Sequence, residues 1–114
     1  HAEAYQASEL KHGPLALINP EMPTVVLVPD DELLAKNTAT IEEIKARGGP
    51  VIAVTDAELP PGLATDVIRV PKAHGALAPI TLSVPLQLFA YHLAHALGRD
   101  VDRPRNLAKS VTVE

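Results

Sequence analysis

Thr24-Val25-Val26-Leu27-Val28, closed by Pro29-Asp30-Asp31, is the stretch on which the reading of the chain turns. An unbroken run of β-branched and aliphatic side chains has the pattern of a strand buried on both faces, as in a parallel sheet. The two aspartates after the proline can cap a following helix. Residues 31–47 then carry Leu33, Leu34, Ile41 and Ile44 at helical spacing, and Gly48-Gly49 stops the helix. Val51 to Val54 reads as the next buried strand. Residues 56–66, with Pro60-Pro61-Gly62, read as loop, and 66–70 as a half-polar strand nearer an edge.

Working outward, residues 79–97 form a long helix that is apolar nearly all round. Pro85 lies early in it, so either Ser83 caps a helix starting there or the first turn is kinked. Upstream, residues 1–8 look like the end of a helix, and Gly13-Pro14 forces a turn. Residues 99–114, with Pro104 inside, are expected to be an irregular tail. The fold class is α/β: about three mainly parallel strands flanked by helices. A helix apolar on every side must be covered on every side, and little of the chain is left to do so. That shortfall, with a first residue other than methionine, leads us to expect part of a longer protein, or a fold completed by another chain.

With 114 residues there is room for one small domain. Apolar residues make up 46% and aromatics 3%, so the core must be aliphatic. A net charge of −4 without a basic cluster argues against nucleic-acid binding. The absence of cysteine rules out disulfides and suits a cytoplasmic protein. The most apolar run, 81–97, is interrupted by Gln87, His92 and His95, so no membrane role is expected.

Two segments carry more than composition. Glu9-Leu10-Lys11-His12-Gly13-Pro14 resembles a turn of SIS (sugar isomerase) domains, which are flavodoxin-like. Arg103-Pro104-Arg105-Asn106-Leu107-Ala108-Lys109-Ser110-Val111-Thr112-Val113-Glu114 resembles the extreme C-terminus of the glucosamine-6-phosphate synthase family. Pro85 to Leu88 and Ala90 to His92 are similar to that family's last long helix. The resemblance implies that residues 1–98 are a truncated SIS domain and 99–114 a tail closing the sugar site. It implies an enzyme making glucosamine 6-phosphate from fructose 6-phosphate and glutamine-derived ammonia, with a glutaminase domain upstream, as a homodimer, without metal or organic cofactor. By the same resemblance His12 helps open the sugar ring in the neighbouring subunit's site. Lys109 meets the sugar carbonyl and can form an imine, Ala108 lies beside it at the substrate, and Leu107 with Ala108 lines the ammonia passage. The family's catalytic glutamate and companion lysine, its phosphate-binding Ser/Thr loop and its glutaminase cysteine are absent, so this chain alone is expected to be inactive. The rivals are another SIS phosphosugar isomerase or deglycase, and a non-catalytic SIS module that binds a phosphosugar.

The residue types suit those roles. Imidazole exchanges protons near neutrality, with an unperturbed pKa of about 6.5. An imine-forming lysine must lose its proton, which burial or nearby positive charge favours; Arg105 lies four residues before Lys109, amid Leu107, Ala108 and Val111. Taken without the resemblance, both residues read as ordinary surface side chains. His92 and His95 have a metal-sharing spacing but no evident third ligand, and read as partly buried polar positions of the kind found at subunit contacts. Asp30 and Asp31 are adjacent and do not face one another, so helix capping is their better account.

Overall fold

Strand, helix and strand follow one another as the pattern requires, in a computed structural model that describes residues 2–73 and 75–107. Strand β1 spans Thr24–Val28, helix α1 Leu34–Lys45, β2 Val51–Thr55, β3 Asp66–Arg69 and α2 Ala78–Ala96. The sheet has the order β1-β2-β3, with both pairings parallel. Thr24 sits opposite Val51, and Ile52 opposite Asp66.

Side chains alternate across a strand, so this register puts Val26, Val28, Val51 and Ala53 on one face. They form the core there with Ile41 and Ile44 of α1 and with Leu15 and Leu63. Leu34 packs against the same cluster, completing the stripe along α1. Ile41 and Ile44 are fully buried, each stabilising the fold by about 1.5–3 kcal/mol. The other face is more open: Val54 is fully buried, but Leu27 remains 40% exposed. The expectation of a β1 buried on both faces is therefore corrected, because α1 covers one face only.

The link from β1 to β2 runs through α1, whereas the link from β2 to β3 is coil. Leu63 plugs that coil into the core, and Leu59 and Ala64 pack beside it. Thr65 ties its far end to Val51 twice, donating its N–H to the Val51 carbonyl (2.8 Å) and accepting the Val51 N–H on Oγ1 (3.0 Å). Lys45 of α1 reaches the Gly62 carbonyl. After α1 the chain turns at Gly48, whose φ of 78° is a left-handed value suited to glycine.

Three expectations are adjusted. Residues 2–6 are not helical; 3₁₀ turns span Ala7–His12 and Pro14–Leu17 instead. Eight residues are too few to hold a helix on their own, and Ala2 to Tyr5 are exposed, burying no stripe that could compensate. Helix α1 begins at Leu34, after a turn in which Asp31 accepts the Leu33 N–H at 2.8 Å. Helix α2 starts at Ala78 with Pro85 inside it, so Ser83 does not begin it, and the carbonyl four residues before the proline, on Thr81, loses its helical amide partner.

The chain divides into two compact units, His1–Leu82 and Ser83–Glu114. In the second, most of α2 is exposed, including Val84, Leu88, Phe89 and Leu93, as is Leu97 just after it. By length and apolar composition alone, the segment Gly75–Ala96 would suffice to cross a membrane; Gln87, His92, His95 and the internal Pro85 lie within it.

Candidate functional site

His12 ends the 3₁₀ turn Ala7–His12, and its imidazole is exposed. The turn is held from both sides. Leu10 packs against the core before it and Leu15 is buried in the core after it. Gly13 donates its N–H to the Leu10 carbonyl at 3.4 Å, and Ala16 to Gly13 at 2.9 Å. Apolar residues alternating with the polar Lys11 and His12 thus pin the backbone and leave the imidazole outward.

Beside the turn, a cleft of about 520 Å³ is lined by Ser8, Lys11, Lys36, Asn37 and Glu43, among others. His12 is not among its lining residues. Of the tail candidates, Ala108 and Lys109 lie outside the described residues. Leu107 is 73% exposed, its N–H donating to the Pro104 carbonyl at 3.3 Å. Near this end of the second unit a cavity of about 640 Å³ is lined by Tyr91, Ala94, Arg99, Arg103 and Arg105.

His92 and His95 are exposed rather than partly buried, a correction to the expectation. Both contact the Tyr91 ring, His92 edge-on at 5.3 Å between centroids and His95 stacked at 6.4 Å. No cluster of three metal-ligating side chains occurs among the described residues.

The strand ends hold a polar cluster that the sequence did not reveal. Asp56, just past β2, accepts the Asp30 N–H on Oδ1 at 2.8 Å and the Ala73 N–H on Oδ2 at 3.4 Å. Lys72 completes it through an ion pair with Asp30 at 2.6 Å. Burial alone would push the Asp56 carboxyl up, but the N–H groups of Asp30, Ala73 and Asp56 itself, with the Lys72 charge, hold it below the usual carboxylate range. The hydrogen bond and charge of Asp30 in turn raise the Lys72 amine. With both oxygens engaged, Asp56 acts as a latch joining the loops after all three strands. The sequence separation of these groups hid them: only parallel pairing brings positions 30, 56 and 72 to one rim.

The three-stranded parallel sheet flanked by helices agrees with the family comparison: residues 1–97 match the SIS domain, and the chain belongs to that family. Within it, the chain is similar to glutamine–fructose-6-phosphate aminotransferases (isomerizing). It is 59% identical to one from Thermus thermophilus over 117 residues, covering 100% of this chain and 19% of the relative. It is 53% identical to that of Pseudomonas putida over 116 residues, with the same coverage. Among solved structures, the C-terminal domain of glucosamine-fructose-6-phosphate aminotransferase from Francisella tularensis matches with a TM-score of 0.83 and 42% identity, over 90% of this chain and 30% of that one. The chain thus spans about a fifth of the length of these curated relatives, 19% in each case.

Proposed function

We propose that this chain is the isomerase-domain portion of a glutamine–fructose-6-phosphate aminotransferase, which makes glucosamine 6-phosphate from fructose 6-phosphate and glutamine-derived ammonia. The observation that carries the reading is similarity along the whole chain, 59% identity with nothing left over, to proteins of that name. The outward His12 on its pinned turn supports a role as the acid/base that opens the sugar ring in the neighbouring subunit of a homodimer. Lys109 and Ala108 line the sugar, Lys109 forming an imine with the open-chain carbonyl, and Leu107 with Ala108 borders the ammonia path. The glutaminase domain lies elsewhere in the longer protein, whose remaining parts also cover the apolar surface of α2. A cytoplasmic setting fits the absence of cysteine.

The test uses the full-length parent. His12→Asn should abolish most sugar isomerisation while glutamine hydrolysis persists, and borohydride with fructose 6-phosphate should label Lys109. Unchanged isomerisation in the variant, or label on another lysine, would remove the corresponding assignment.

A further inference from the structure

Among the described glycines, one makes an extreme close approach, and it lies behind the His12 turn. A Cβ placed on Gly49 would lie 2.5 Å from Ile18 Cγ2 and 3.0 Å from Ile44 Cγ2. Apolar carbons rest at about 3.5–4.0 Å, so any side chain there must drive something back by about 1 Å. Two of the three parties cannot yield. Gly49 donates its N–H to the Ile44 carbonyl at 3.3 Å and precedes Pro50, whose own carbonyl accepts the Thr24 N–H at 2.9 Å, which ties this stretch to the sheet. Ile44 is fully buried in the core. Ile18 is only half-buried. It follows the second 3₁₀ turn, Pro14–Leu17, and its β-branched side chain is stiff. Tight turns run from it back to His12, through Ile18 N–H to Leu15, Ala16 N–H to Gly13 and Gly13 N–H to Leu10. A push at Ile18 therefore moves the segment that carries the imidazole.

We infer that Gly49 is a positioning residue for His12, its missing side chain letting Ile18 seat the turn at the depth from which the imidazole reaches the sugar. This rests on the catalytic reading of His12 given above. Catalytic geometry is sensitive at this scale, since a displacement of about 1 Å can cost about 100-fold in rate.

The test is kinetic, in the full-length parent. Gly49→Ala should lower the isomerisation kcat by about 10- to 100-fold with the KM for fructose 6-phosphate little changed, because the lost interaction belongs to the transition state. Glutamine hydrolysis on the same preparation should persist. Adding Ile18→Ala removes the closer of the two methyls, leaving only the 3.0 Å approach to Ile44 Cγ2, and should recover a large part of the lost kcat. The inference is overturned if isomerisation and glutamine hydrolysis fall together, or if the double variant is no better than Gly49→Ala. Should Gly49→Ala alone fail to fold, the double variant is compared with Ile18→Ala; matching kcat values support the inference and a much slower double variant overturns it. His12→Asn separates the two ideas. If it leaves isomerisation intact, the catalytic reading falls and this inference with it; if it abolishes isomerisation while Gly49→Ala does not, only the positioning role falls.

Discussion

Replacing Thr55 by valine exchanges one hydroxyl for a methyl of nearly the same size, at a fully buried position at the end of β2. The Thr55 hydroxyl donates to the Val28 carbonyl at 2.6 Å and accepts the Ala57 N–H at 2.9 Å. Ala57 is only 2% exposed, so water cannot replace that acceptor. A buried donor left unpaired costs about 1–3 kcal/mol. Thr55→Ser keeps both hydrogen bonds and deletes one methyl, a loss of about 0.8 kcal/mol in transfer. Polar satisfaction therefore predicts that valine is the more damaging change, and shape filling alone predicts the reverse. Urea unfolding of the three proteins decides. At a slope of about 1–2 kcal/mol per molar, the valine midpoint should fall by about 1–2 M and the serine midpoint by less than 1 M. A serine variant less stable than the valine one, with slopes unchanged, would refute the reasoning.

Asp56→Asn should weaken the fold and flatten its acid dependence. The folded carboxyl titrates below its unfolded value, so the folded state binds fewer protons, and stability rises with pH from the folded value up to about pH 3.9 and then levels off. Urea midpoints measured from about pH 3 to pH 6 should show that rise in the wild type and a smaller one in the variant. Ile44→Ala should destabilise by about 2–5 kcal/mol, read as a lower urea midpoint; a loss under about 1 kcal/mol would mean that Ile44 is not the core residue its full burial implies.

Much of the sheet and of α1 was legible because their signals are local. Thr24 to Val28 alternates no polar residue with its apolar ones, and Ile41 and Ile44 repeat at helical spacing, so the strand, the helix and the parallel pairing follow from pattern. Residues 1–8 misled because alanine content suggests helix, while length and the lack of a buried stripe forbid one. The extent of α2 was legible to within a residue, 79–97 against Ala78–Ala96, and only the alternative start at Ser83, prompted by the stop signal of Pro85, is overturned, because the apolar residues on both sides carry the helix through. The site divides in the same way. His12 was found through its hexapeptide, not through any intrinsic signal of imidazole chemistry. The Asp56 latch and the Gly49 contact depend on residues far apart in sequence, and no spacing rule registers them.

The coil that replaces a helix between β2 and β3 has a further consequence. β3 spans four residues, of which only Ile68 is even half-buried, and Val67 stands 43% exposed. Among the described residues it is attached by the β2 ladder, by the Thr65 bonds at its start and by the contacts of Arg69 with Ala57 and Glu58. Local opening follows where buried apolar contacts are few. Amide protons of β3 should therefore be the first in the sheet to exchange with deuterium and those of β2 the last, so that the layer unzips from one flank while its middle strand still holds.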